Sequence, residues 1–286
     1  MYYSSVTPSG ARKITVYCRY WIVNNTNKKV LVRDHFIDDI ASGQVHIENA
    51  VETTIPEINS PLLYSYKDFH PIESKTCVKI DDSLWSKPIS LESPGLEGTL
   101  EIPKKLENNT TSLYEVGISV RLAPEKVMKN NAFLILLKFY RTKVITLSPR
   151  YILVNNTDTT LFYKQNDTTQ SFQLESAQSS SWHWTSRDSY KEIKISLRSH
   201  EWSCSFAIDQ IGDFAIKIPR LKSYSDPVSQ QQEDNYYTTR VNIKLDKSTV
   251  YIIFDPESKE FPPYRIENFT RATILVGQKV YIYLQI

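Results

Sequence analysis

The sequence predicts an all-β chain built from tandem copies of one unit. Three observations carry this reading. Apolar residues alternate with a period of two in segment after segment. The composition suits strands: 18 tyrosines stand against 7 glycines in 286 residues, so there is little from which to build glycine-rich phosphate loops. Finally, two motifs interleave along the chain at the spacing of a small domain.

Taken in order, residues 14–18 alternate sides and lead into the first motif, Tyr-Trp-Ile-Val-Asn-Asn-Thr at 20–26. The second motif is Trp85-Ser86, followed ten residues after the tryptophan by Gly95 and then by Ile102-Pro103. Residues 104–112 are polar and predict a loop. Tyr114, Val116, Ile118 and Val120 alternate as one strand, and residues 124–129 open on a proline and predict the one short helix. Residues 132–140 form a longer apolar run, consistent with a strand buried on both faces, although a helix also fits.

The first motif returns as Tyr-Ile-Leu-Val-Asn-Asn-Thr at 151–157, and the second as Trp202-Ser203, Gly212 and Ile218-Pro219 with the same ten-residue step. Residues 223–235 are polar and predict a surface loop. Val241, Ile243 and Leu245 alternate, and residues 250–254 and 280–284 predict two further strands. The first motif appears a third time as Tyr-Arg-Ile-Glu-Asn-Phe-Thr at 264–270. The unit is therefore about 115–130 residues long, too long for a solenoid repeat. It divides the chain into a first unit at 1–148, a second at 149–260, and the start of a third, or closing strands, at 261–286.

Each first motif predicts strand, turn, strand. Asparagine tolerates left-handed backbone and hydrogen-bonds nearby main chain, so Asn-Asn-Thr can turn a chain without glycine. This assigns Asn24, Asn155 and Asn268 a structural role and accounts for three of the six N-x-S/T sequons, the others lying at Asn108, Asn109 and Asn166.

Charge and chemistry exclude several functions. The net charge of +2 offers no basic field for nucleic acid. Cys18, Cys77 and Cys204 have no zinc spacing and an odd total, which favours a reducing, cytoplasmic setting. No apolar run reaches membrane-spanning length and no signal peptide opens the chain. His35, His46, His70, His183 and His200 form no metal pattern, and no nucleophile elbow, P-loop or dinucleotide fingerprint occurs. Neither enzyme activity, nor a metal, nor a cofactor is predicted. Asp38-Asp39 and Asp81-Asp82 read as solvated turns. Trp182-His183-Trp184 reads as a strand with one buried face, the alternative being an aromatic platform in a secreted carbohydrate-binding protein.

The segments 20–28, 143–157 and 263–270 carry a resemblance to a known family. They are similar to the adaptor-binding β region, also described as SHORT-ROOT-binding-like, of the vacuolar protein sorting-associated protein 13 family of bridge-like lipid-transfer proteins. The resemblance extends from about Lys13 to Gln278. It implies tandem β-sandwich repeats, each marked by an asparagine, structural or adaptor-binding, that Asn24, Asn155 and Asn268 match. The third copy departs from the pattern, with Glu267 in place of valine and Phe269 in place of the second asparagine. The resemblance further implies docking to organelle adaptors that carry proline-x-proline motifs. It places the protein in the cytoplasm, peripheral to organelle membranes at contact sites, beside neighbouring repeats and the lipid-transfer channel of a parent protein. Membrane association is then mainly indirect.

An extended proline-rich segment can lie along a strand edge with its prolines in flanking pockets. The candidate docking residues are Tyr264 and Ile266, with Val280, Tyr281 and Tyr283 on the strand beside them. The alternative is direct lipid or phosphoinositide binding through Lys126, Lys129, Lys138, Arg141, Lys143 and Arg150.

Overall fold

The computed structural model describes residues 2–36, 61–66, 73–106, 110–123, 142–198, 200–220, 236–256 and 267–274. Among them there is no helix. Eighteen strands form five sheets.

A hairpin of β1 (Tyr2–Val6) and β2 (Arg12–Val16) makes a sheet by itself. Next come β3 (Tyr20–Asn24), β4 (Val30–Asp34), β5 (Leu62–Tyr64), β6 (Thr76–Ile80), β7 (Glu97–Lys105), β8 (Thr111–Leu122) and β9 (Lys143–Pro149). They form a five-stranded sheet in the order β5-β3-β9-β8-β7 and a two-stranded sheet of β4 and β6. Tyr20, Ile22, Val32, Ile80, Ile102, Ile118, Ile145 and Leu147 belong to the buried cluster they share.

The same plan follows at once. Strands β10 (Tyr151–Asn155), β11 (Leu161–Gln165), β12 (Ser171–Leu174) and β13 (Ser179–Trp182) precede β14 (Glu192–Ser196), β15 (Phe206–Ala207), β16 (Gly212–Pro219), β17 (Tyr236–Asp246) and β18 (Thr249–Pro256). One sheet runs β13-β10-β18-β17-β16 and the other β12-β11-β14-β15. A second buried cluster, including Leu153, Tyr163, Trp184, Ile195, Ile218, Ile252 and Phe254, lies among these strands and their connections and takes in Leu113 from β8.

The copies correspond bond for bond. In each, the strand that opens the unit pairs parallel with the last strand: Tyr20 opposite Lys143, and Tyr151 opposite Val250. Ser86 Oγ accepts the Val78 amide at 2.9 Å, and Ser203 Oγ accepts that of Ile195 at 3.1 Å. The residue before each tryptophan donates to a proline carbonyl, Leu84 to Pro103 and Glu201 to Pro219. The cation of Arg33 lies 4.5 Å from the Trp85 ring centre, and that of Lys164 lies 4.6 Å from Trp202. The second motif is thus a fastening: tryptophan receives a cation from the strand after the corner, serine ties down the next strand, and proline sits on the edge strands β7 and β16.

Part of the expected loop at 104–112 is strand. Lys104 and Lys105 end β7 and pair with Ser112 and Thr111 on β8. The strand ends there are polar although Ser112 is buried and Lys104 and Thr111 are only half-exposed, and composition alone cannot distinguish such a polar strand end from a turn. The expected helix at 124–129, the run at 132–140, the loop at 223–235 and the strand at 280–284 lie outside the described residues.

Candidate functional site

The three hallmark asparagines sit at three copies of one hydrogen-bonded corner. Asn155 ends β10. Its Oδ1 accepts the Thr157 amide at 3.0 Å and the Thr157 hydroxyl at 2.7 Å, while its Nδ2 donates to Thr159 O at 2.8 Å. Asn24 repeats this with Thr26 at 3.0 and 2.7 Å and Lys28 O at 2.8 Å. Asn268 does so with Thr270 at 2.9 and 2.7 Å and Ala272 O at 2.8 Å.

The chemistry explains why asparagine and threonine recur two residues apart. Only a short amide both accepts from i+2 and donates to i+4, and only a hydroxyl at i+2 can add a second donor. The sequon is the grammar of this turn. Left-handed backbone is not what the hallmark asparagines supply, contrary to one part of the sequence reading: positive φ falls at Asn27 (55°), not at Asn24 or Asn25.

The corners differ in their cover. Asn155 is fully buried, because the segment after β12 closes over it: Leu174 O accepts its Nδ2 at 3.0 Å, and its own amide donates to Gln178 O. Asn24 is exposed, and all eight residues 267–274 are exposed, Phe269 by 90%. Of the residues expected to line a docking groove, Tyr264, Ile266, Val280, Tyr281 and Tyr283 lie outside the described residues.

A seam that sequence reasoning missed joins the two sets of strands. The start of β8 extends past β9, which pairs with it only from Val116 onward, and Leu113 pairs with Trp184 by amide–carbonyl bonds of 2.9 and 3.0 Å. Glu115, buried beside it, accepts Trp184 Nε1 at 3.1 Å and an ion pair from Lys191. Burial raises the Tyr151 hydroxyl above its ordinary range, and the Glu115 charge raises it further. The turn 185–190 is held by buried Gln165, whose Nε2 donates to Ser186 O at 2.8 Å and whose Oε1 accepts the Ser186 amide at 2.9 Å. The signal available in the sequence was Gly117 inside a strand, which marks close backbone approach.

At the start of the first unit, Tyr20 donates to Glu92, which also accepts Arg19 Nη2 at 3.0 Å and Lys143 Nζ at 2.6 Å. Burial pushes the Glu92 carboxyl up, but the hydrogen bonds from Arg19, Lys143 and Tyr20 outweigh it and bring it down to about 2. A carboxylate lowered from its ordinary 4.5 stabilises the fold above that pH and loses this contribution as pH falls toward 2. The Tm difference between wild type and Glu92→Gln is therefore expected to be largest above pH 5 and to shrink steadily by pH 2.5. Calorimetric scans across that range measure it, and a pH-independent difference would contradict the ion-pair reading.

The Trp182-His183-Trp184 segment is no platform for a ligand. Both tryptophans are buried, and His183 stacks on Tyr114 with ring centres 4.5 Å apart. Burial, with the charges of Lys28 and Lys104, lowers the His183 imidazole to about 4. In the basic run considered for lipid headgroups, Lys143 is paired with Glu92 and Arg150 donates to Ser248 O at 3.0 Å. Lys126, Lys129, Lys138 and Arg141 lie outside the described residues. Among the described residues, no group of three or more His, Cys, Asp and Glu could hold a metal ion, and no helix is long and apolar enough to cross a membrane.

Sandwiches in tandem, each opened by an Asn-x-Thr corner and stitched to the next, define a class of β-repeat binding region. The family model for the adaptor binding domain of vacuolar-sorting associated protein 13 matches residues 1–281, and the chain belongs to that family. It is 25% identical over 308 residues to the intermembrane lipid transfer protein vps13E of Dictyostelium discoideum, covering 94% of this chain and 7% of that protein. It is 32% identical over 189 residues to tipC of the same organism, covering 57% of this chain and 5% of tipC. Against the intermembrane lipid transfer protein VPS13 of Chaetomium thermophilum it is 26% identical over 271 residues, covering 92% and 8%. The chain thus spans 5–8% of the length of these three relatives.

Proposed function

We propose that this chain is a non-enzymatic docking module that binds proline-x-proline motifs of organelle adaptors and so directs a lipid-transfer protein to membrane contact sites. The observation that carries this reading is the adaptor-binding family match across residues 1–281. The lipid-transfer names of the relatives support the destination. In this reading the protein is cytoplasmic and peripheral to organelle membranes, and membrane contact is made mainly through the adaptor.

Docking centres on the third corner, where Asn268 shapes the turn and Tyr264, Ile266, Val280, Tyr281 and Tyr283 supply the groove. Proline lacks an amide hydrogen, so a proline-x-proline segment can share only part of a strand ladder, and apolar pockets for its rings carry the rest of its specificity. We further propose the division into units at 1–148, 149–260 and 261–286.

The test is capture of a fluorescent proline-x-proline peptide by the folded chain, with an alanine-x-alanine peptide as control. Saturable binding of the first alone is expected, weakened at least tenfold by Tyr281→Ala with Tm unchanged. No binding by a folded sample would overturn the proposal. Co-sedimentation with anionic vesicles that falls with salt, in place of peptide binding, would point to headgroups instead.

A further inference from the structure

Residues 124–141 have no counterpart in the second unit. Thr142 and Thr249 hold the same place, because the Thr142 hydroxyl donates to Cys18 O at 2.8 Å and the Thr249 hydroxyl to Pro149 O at 2.9 Å. The Ala123 amide donates to Thr142 O, and Asp246 pairs with Thr249. Between those matched residues the second unit turns on Lys247 and Ser248, whereas the first carries residues 124–141. That segment holds the apolar run Ala-Phe-Leu-Ile-Leu-Leu-Lys-Phe-Tyr at 132–140. A sandwich of this plan closes its core without such a run: Val241, Ile243, Ile252 and Phe254 are buried on the strands that flank the short turn. A run this apolar is driven to cover other apolar surface.

The sheet beside its roots supplies that surface. On the face turned away from the buried cluster, one row crosses four strands: Leu63 opposite Trp21, Trp21 opposite Val144, and Val144 opposite Arg121. Leu63 is 58% exposed, Trp21 and Val144 are half-buried, and so is Val23, which follows on the same face of β3. The matching row of the second unit reads Ser181, Ile152, Tyr251 and Lys244. The unit that carries the segment thus has leucine where the other has serine, and tryptophan where the other has isoleucine.

The segment is rooted within reach of the row. Arg121 and Val144 lie one residue inside the pair Leu122–Lys143, where β8 ends and β9 begins. From β9 across β3 to β5 is two strand spacings, about 10 Å. Residues 124–131, fully extended, would reach about 28 Å. The run can therefore lie over Leu63 and Trp21 while its end stays beside Val144.

We propose that residues 132–140 dock on the outer face of the sheet β5-β3-β9-β8-β7, over Leu63, Trp21, Val23 and Val144. The occupant of this apolar face is a segment of the same chain. Lys126, Lys129, Lys138 and Arg141 then flank an intramolecular contact rather than a membrane surface. This inference does not depend on adaptor docking.

Hydroxyl-radical footprinting tests the contact, comparing the intact chain with one in which Lys-Ser, the turn of the second unit, replaces residues 124–141. Leu63 and Trp21 should oxidise at least ~threefold faster in the shortened chain. Leu63→Asp should lower the Tm of the intact chain by at least about 5 °C and leave that of the shortened chain unchanged. If the shortened chain does not fold, Leu134→Ser, Leu136→Ser and Leu137→Ser together in the intact chain must produce the same rise in oxidation. Equal oxidation with and without the apolar run, or a silent Leu63→Asp in the intact chain, overturns the proposal. So does protection of Leu63 that grows with protein concentration, since the occupant is then a second copy. Co-sedimentation with anionic vesicles that requires residues 124–141, with Leu63 oxidised equally in both chains, overturns it in favour of a lipid surface.

Discussion

Asn155→Asp is expected to cost about 3–5 kcal/mol of stability and to lower the Tm by roughly 10 °C. The substitution keeps the shape of the side chain and removes its donors. Thr159 O and Leu174 O, which accept Nδ2 at 2.8 and 3.0 Å, would each face a carboxylate oxygen instead of an N–H. The new charge would be fully buried, where it can lessen the repulsion only by taking up a proton. Asn24→Asp makes the same chemical change at an exposed corner, where water solvates the charge, and about 1 kcal/mol is expected. The contrast between the two variants, measured by urea unfolding, separates corner geometry from burial. Equal losses at both sites would show that the covering segment after β12 contributes nothing.

That comparison also marks how far the sequence could be read. The corners were legible because their bonds are local: acceptor, hydroxyl and carbonyl lie within four residues, so spacing alone exposes them. The Trp-Ser, Gly, Ile-Pro series was legible as a repeat but not as a mechanism. Its partners, such as Val78 for Ser86 and Pro103 for Leu84, come from strands that only pairing brings together. Fold class followed from period-two alternation, which works where one face is buried. It failed at 104–105 and 111–112, where the alternating residues are polar and the pairing lies at the outer end of a sheet. The seam was the least legible part. Glu115 lies 69 residues from Trp184 and 76 from Lys191, and no local pattern distinguishes a glutamate aimed at a neighbouring unit from one aimed at solvent. Gly117 alone gave a hint, and its meaning required knowing what approached it.

What approaches it is the turn between β17 and β18, and Gly117→Val is expected to uncouple the two units. A Cβ at position 117 would lie 2.6 Å from Ser248 Oγ, 2.7 Å from Ser248 O and 2.8 Å from Ser248 Cβ. The carbonyl belongs to backbone and cannot swing aside, so the turn must lift off β8. Lifting it breaks the bonds that seat it: Arg150 to Ser248 O at 3.0 Å, Thr249 Oγ1 to Pro149 O at 2.9 Å, and the Ser148–Ser248 hydroxyl pair at 3.2 Å. It also pulls on the Trp184–Leu113 pairing and exposes the ion pair of Glu115 and Lys191. Overpacking with loss of these bonds is expected to cost about 3 kcal/mol, concentrated at the seam because the two buried clusters are otherwise separate, Leu113 being the one residue of β8 that belongs to the second. Differential scanning calorimetry should therefore show the wild type melting in one transition and Gly117→Val in two, the lower by roughly 5–10 °C. Ser248→Gly in the same chain removes the side-chain half of the clash while leaving the carbonyl in place, and should restore part of the coupling. A single transition at the wild-type temperature would mean that β8 and the turn separate without cost, and that the two sandwiches are held together elsewhere.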